Sequence, residues 1–235
     1  AIYALIHKLE RDGGVWFPKG GTNALVAGMA RHFERLGGSL RLGDPVEEIE
    51  TLGDHVTGVR TRSGWTAKYD AVASNADVVH SYDLLKGNAR GRRAAAKLRR
   101  KRFSPSLFVV HFGVKVEWPD IPHHMILFGP RYAGLLDDIY EKGVLAQDFS
   151  LYLHHPTASE PSLAPPGCSS FYALAPVPHL GKMPADWDEI GPIYRDRILD
   201  HLEQRLMPGL REKIEVCFHY APADFRDDLN AHLGS

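Results

Sequence analysis

Gly13-Gly14-Val15-Trp16-Phe17-Pro18-Lys19-Gly20-Gly21-Thr22 is the stretch on which the reading of this chain turns. An apolar run meets a proline, a lysine and two adjacent glycines, and an amphipathic segment follows at once. Leu25, Val26, Met29, Phe33 and Leu36 recur at helical spacing, which predicts a helix with one apolar face over about residues 22–36. Thr22 stands at the expected N-cap, and Gly37-Gly38 end the helix with residues that tolerate positive φ. Paired glycines before a helix let a backbone approach a helix, a strand or a ligand phosphate; a plain tight turn leaves the same mark.

Outward from this helix the period changes. N-terminal to it, Ile2, Leu5, Ile6 and Leu9 share one helical face. C-terminal to it, Ser39–Leu42, Val46–Thr51, Val56–Thr61 and Trp65–Tyr69 read as short strands. Gly43-Asp44-Pro45, Gly53-Asp54 and Ser63-Gly64 separate them, which predicts an antiparallel meander. Ala71-Val72-Ala73 reads as a small buried strand, with Ser74-Asn75 placed to cap a helix over residues 76–85. Lys86–Arg102 then carries nine basic residues and no acidic one, and marks the expected junction between two domains, 1–102 and 103–235.

Beyond the junction, strand candidates are 107–112, 125–128, 149–154, 171–175 and 214–220, with helices at about 131–141 and 190–207. Phe149, Leu151 and Leu153 alternate with Ser150, Tyr152 and His154. Ile214, Val216, Phe218 and Tyr220 alternate with Glu215, Cys217 and His219. Period-two alternation predicts a sheet with one apolar face. Met207-Pro208-Gly209 stops the second helix, and the proline- and serine-rich stretch from Glu160 to Gly167 is a loop. The expected class is α+β (mixed α/β), a meander-bearing unit followed by a largely antiparallel sheet covered by helices.

Bulk properties exclude several functions. With 44% hydrophobic and 24% charged residues the composition is that of a globular protein, not a disordered one. A net charge of −1 gives no global attraction to nucleic acid. Two cysteines without a Cys-x-x-Cys spacing argue against a disulfide framework or a thiolate metal site. No apolar run approaches the ~20 residues that span a bilayer. Gly-x-Ser-x-Gly and His-Glu-x-x-His are absent. Of thirteen histidines, His123-His124 and His154-His155 are adjacent pairs; neighbouring strand residues face opposite ways, so no metal site is expected from either pair.

The segment Trp16–Thr22, with its helix and Gly37-Gly38, resembles the middle of bacterial phytoene desaturases, FAD-dependent carotenoid desaturases related to the amine oxidases. The same resemblance extends through residues 72–80, Phe128-Gly129-Pro130-Arg131-Tyr132, residues 148–154, residues 174–181 and residues 224–231, in the family's order. Neither glycine-rich flavin segment of the family is present, and no Gly-x-Gly-x-x-Gly occurs. The chain is therefore read as an internal segment of a longer enzyme, inactive by itself.

The resemblance implies part of an FAD-binding scaffold, with Gly20, Gly21, Val46, Ser74, Asn75 and Ala76 near the cofactor, and identifies no catalytic side chain. By spacing alone Val46 is a strand valine and Asn75 a helix cap. It further implies stepwise desaturation of phytoene toward lycopene or a relative. A diapophytoene desaturase, a ketolase, an isomerase and a non-enzymatic lipid-binding module are the alternatives. A polyene substrate needs an apolar wall. Phe108, Val110, Phe112, Phe128, Phe149, Leu151 and Leu153 are its candidates, with Arg131 the charged residue beside it; core packing predicts the same apolar pattern. A cytoplasmic enzyme collecting a membrane-dissolved substrate would meet anionic lipid, and Lys86–Arg102 is the expected contact; a solvated basic helix face is the alternative.

Overall fold

The computed structural model describes residues 2–235. Helix α1 (Ile2–Gly13) leads into the glycine turn. Leu5 and Leu9 are exposed on it; the side chains of Ile2 and Ile6, expected on the same face, lie outside the described residues. Gly20 and Gly21 take φ of 80° and 79°, and the Gly21 N–H donates to the Pro18 carbonyl at 2.9 Å. Helix α2 (Gly21–Arg35) therefore starts one residue before Thr22, and Gly20 occupies the cap position. The predicted apolar stripe of α2 is present, but Leu25, Val26, Met29, Phe33 and Leu36 are all exposed.

The meander forms as read. Strands β1 (Val46–Leu52), β2 (His55–Thr61) and β3 (Thr66–Lys68) pair antiparallel in sequence order. Gly53 and Gly64 make its turns with φ of 62° and 88°. Ile49 and Val59 close a small core with Leu84. Two strand assignments fail. Ser39–Leu42 and Ala71–Ala73 find no partner strand among the described residues, and Leu42 is 85% exposed. An extended segment without a neighbouring ladder is coil. The following helix α3 (Val78–Asp83) is capped by Asp77, whose carboxylate accepts from the N–H groups of Val79 and His80 at 2.8 and 3.1 Å. Ser74-Asn75 does not serve as the cap. Helix α4 (Ala89–Leu98) carries much of the basic segment and is capped by Asn88.

The second sheet uses β4 (Ser106–Val114), β5 (His124–Leu127), β6 (Leu151–His154), β7 (Ser169–Val177) and β8 (Ile214–Tyr220). Their order is β5-β6-β7-β4-β8, and every pairing is antiparallel. Helix α5 (Tyr132–Asp137) continues as a π turn to Lys142 and links β5 to β6. Helix α6 (Trp187–Arg205) belongs to the core that covers one face of the sheet. The short α7 (Leu210–Lys213) and α8 (Pro222–Leu229) flank β8. Phe108, Val110 and Phe112 of β4, Leu151 and Leu153 of β6, and Phe171 of β7 join Tyr194, Ile198 and Leu202 of α6 in one buried core. Each large side chain so buried contributes about 1.5–3 kcal/mol, which makes this the main source of stability.

The last strand reverses its expected orientation. Ile214, Val216, Phe218 and Tyr220 were the apolar set, but Val216 and Phe218 are exposed, while Cys217 packs on the core and His219 stacks on Phe108. Alternation fixes which residues share a face; the neighbour β4 fixes which face is covered, because His111 pairs with Phe218 and Phe112 with Cys217.

Candidate functional site

The face of the five-stranded sheet opposite α6 carries a row of rings. In the ladder His124 lies opposite His154, His154 opposite Tyr172, Tyr172 opposite His111, and His111 opposite Phe218. One ring from each strand therefore lines up across the sheet. Successive centroids are 5.3, 4.6, 5.6 and 4.8 Å apart. Five strands at their normal spacing give the row a span of about 19 Å. Tyr152 stands beside it, 5.8 Å from both His124 and Tyr172. Burial pushes the Tyr152 phenol up to about 12, helped by its hydrogen bond with Tyr172, so it remains protonated. Burial holds His111 below the usual imidazole range.

At the β5–β6 end the imidazoles converge. His123 Nε2 lies 2.8 Å from His154 Nε2. His123 Nδ1 pairs with Ser159 Oγ, and His124 Nδ1 with the Tyr152 hydroxyl, each at 2.6 Å. Phe17, from the glycine turn, packs its edge on His123 at 4.5 Å. Burial and the neighbouring imidazoles bring His154 down to about 4. The same causes lower His123. The expectation that adjacent histidines diverge holds for His154 and His155, since His155 turns into the core and stacks on Phe171. It fails for His123 and His124. His123 precedes β5 and escapes the pleat, so the two rings sit 4.3 Å apart. Sheet pairing, invisible in either dipeptide, joins both to His154.

The residues expected to line a substrate wall divide. Phe108, Phe112, Phe149 and Leu151, with Val110 and Leu153, are buried in the core shared with α6, and Phe108 is 0% exposed. They have no surface to offer a ligand, so the wall assignment is corrected to core. Phe128 is exposed beyond the end of β5 and packs edge-on to Tyr132. Arg131 reaches Asp148 at 2.5 Å and Asp138 at 3.3 Å, and these carboxylates raise it above its ordinary range. His111, Tyr172 and Phe218 were missed. For His111 and Tyr172 the available signal was the alternate face of their strands, since a plainly solvated face carries Lys and Glu rather than His and Tyr; Phe218 was read onto the covered face instead.

The residues expected near a flavin lie on separate elements. Gly20 donates its N–H to Glu160 Oε2 at 2.8 Å, and a Cβ on Gly21 would stand 3.2 Å from Leu163. The closeness that these glycines permit is thus used by the 160–163 loop. Val46 packs beside the Ile49–Val59 cluster. Ser74, Asn75 and Ala76 are exposed, and Ser74 Oγ pairs with Ser81 Oγ at 2.7 Å. Among the described residues no helix is long and apolar enough to cross a membrane.

The fold combines a three-stranded meander with an antiparallel five-stranded sheet, one face of which lies under a helix. Two solved structures share it: an oxidoreductase from Methanosarcina mazei (TM-score 0.69, 18% identity, 93% of this chain and 46% of that one) and a reduced UDP-galactopyranose mutase (TM-score 0.58, 16% identity, 87% and 39%). Residues 1–171 match the family described as flavin containing amine oxidoreductase, and the chain belongs to that family. Among curated relatives, a lycopene-forming phytoene desaturase from Pseudescherichia vulneris is 54% identical over 100% of this chain and 48% of its own length. One from Pantoea ananas is 50% identical over 100% and 48%. The chain spans about half the length of the curated relatives it matches.

Proposed function

We propose that this chain is a central segment of an FAD-dependent oxidoreductase that desaturates phytoene stepwise toward lycopene. The observation that carries this reading is 54% identity along the whole chain with a lycopene-forming phytoene desaturase. Residues 1–102 contribute to the flavin scaffold and residues 103–235 form the substrate side. Val46 and the exposed Ser74-Asn75-Ala76 segment are the residues that would meet the cofactor, through their backbones. Gly20 and Gly21 act indirectly, by shaping the turn that docks on Glu160 and Leu163. When bound, FAD accepts the hydride equivalent removed from the polyene.

The chain's own part is to hold a long apolar substrate and exclude water. The row from His124 to Phe218 supplies a ring-lined strip for the polyene, and Phe128 with the ion-paired Arg131 bounds its β5 end. Lys86–Arg102 meets anionic lipid, where the substrate dissolves. Arg90, Arg99 and Arg102 are paired with Asp54, Asp83 and Glu141, which leaves the exposed Lys86, Arg92, Arg93, Lys97, Arg100 and Lys101 as the lipid contacts.

A chimera tests the reading. Residues 1–235 replace the matching segment of the Pseudescherichia vulneris desaturase in a host that accumulates phytoene. The expected result is a yellow, flavin-bearing protein and conversion of phytoene to more desaturated carotenoids. A soluble chimera that binds flavin but leaves phytoene unchanged overturns the substrate assignment. Flotation with anionic vesicles tests the basic segment: neutralising Arg93, Lys97 and Arg100 should weaken co-flotation, and unchanged flotation rejects that role.

A further inference from the structure

Two imidazole nitrogens 2.8 Å apart, as in His123 and His154, have one proton between them; two lone pairs would repel and two N–H groups would collide. A cation can take the place of that proton. His124 completes the group: one ring nitrogen from each of the three residues lies within 4.8 Å of the others. Ligand nitrogens around a tetrahedral Zn2+ stand about 3.4 Å apart, given bonds of about 2.0–2.1 Å. The observed separations bracket that value.

The surroundings suit ligation. Ser159 and the Tyr152 hydroxyl hold the Nδ1 atoms of His123 and His124, as outer partners hold metal-binding histidines. Phe17 covers the His123 and His154 rings from one side. An all-imidazole donor set favours first-row transition cations over Mg2+ or Ca2+.

We propose that His123, His124 and His154 together bind one divalent transition cation of the Zn2+ class, with a fourth position open to water. The ion would tie the β5–β6 edge to the 155–159 segment and to the turn that carries Phe17. The assignment rests on the geometry of these three residues and not on the desaturase reading, although His124 and His154 also belong to the ring row.

The test is calorimetric titration of ZnCl2 into the EDTA-stripped chain, with Co2+ absorption reporting coordination. The expected result is one ion per chain, a Co2+ spectrum of a nitrogen-ligated four-coordinate site, and affinity lowered at least tenfold in His124→Ala. His124 is exposed, so that variant should retain the wild-type circular dichroism. His55→Ala, at an exposed histidine of the meander, should bind as wild type. Absence of saturable binding at millimolar Zn2+, or equal binding by wild type, His124→Ala and His154→Gln, overturns the proposal.

Discussion

The backbone N–H of Gly20 donates to the carboxylate of Glu160 at 2.8 Å, across 140 positions of sequence. Gly20 caps helix α2, so an anion sits where the helix dipole favours one. Ser162 and the Gly20 amide together hold the Glu160 carboxyl below its ordinary range. The glycine turn is thus fastened to the loop beside the second sheet, with Phe17 on His123 as a second anchor. Replacing Glu160 by Ala should speed hydrogen exchange at Gly20 and Gly21 several-fold and leave the β4–β7 core unchanged. Equal exchange in variant and wild type would show that Phe17 alone holds the turn.

The two faces of the sheet predict opposite mutational signatures. Phe108 is enclosed by Trp187, Tyr194 and His219, so Phe108→Ala should cost about 3–5 kcal/mol. Phe218 is 53% exposed and stacks on His111, so Phe218→Ala should cost well under that. In the chimera, Phe218→Ala should raise the KM for phytoene while the protein keeps its melting temperature. A large loss of stability at Phe218, or unchanged kinetics there, removes the ring row from the proposed substrate wall.

Gly191 sits inside α6, where alanine is normally preferred by about 1 kcal/mol. Here a Cβ would stand 2.6 Å from His219 Nε2. Gly191→Ala should therefore destabilise by about 1–3 kcal/mol, as overpacking does. Removing the obstacle in Gly191→Ala/His219→Ala should recover part of that loss, read from a double-mutant cycle of chemical denaturation. A stabilised Gly191→Ala would mean that the His219 ring moves aside freely.

These contacts show what the sequence discloses and what it withholds. The meander was legible because Gly53 and Gly64 punctuate it and its partners are adjacent in the chain. The strands of the second sheet were legible from alternation, but their order was not. His111 meets Tyr172 and Phe218, respectively 61 and 107 positions away, and only the strand order reveals the row. The candidate wall failed for the same reason. Phe108 and Leu151 are apolar because they pack under α6, and apolarity alone cannot separate a helix-covered face from a ligand-covered one. The failed strands at 39–42 and 71–73 carry strand-like residues but find no partner among the described residues, a property of the surroundings rather than of the residues themselves.

Acid should destabilise the fold before its carboxylates titrate. Burial lowers His111, His179, His201 and His219 below the ordinary imidazole value of 6.5. Each stays neutral in the folded chain at a pH where the unfolded chain already binds a proton. Below about 6.5 the unfolded state therefore binds more protons, and stability falls as pH falls toward the lowered folded values. The stabilised carboxylates act lower, since Asp138, Asp196 and Asp227 are shifted down from 3.8. Melting temperature should drop between pH 7.5 and 5.5, well above that range. His219 faces Arg195, which opposes its protonation, and Asp188, Asp196 and Asp224, which favour it; burial outweighs them all. His219→Gln removes one titrating group from beneath α6 and should flatten the pH slope. The same slope in variant and wild type would place the acid sensitivity elsewhere than under α6.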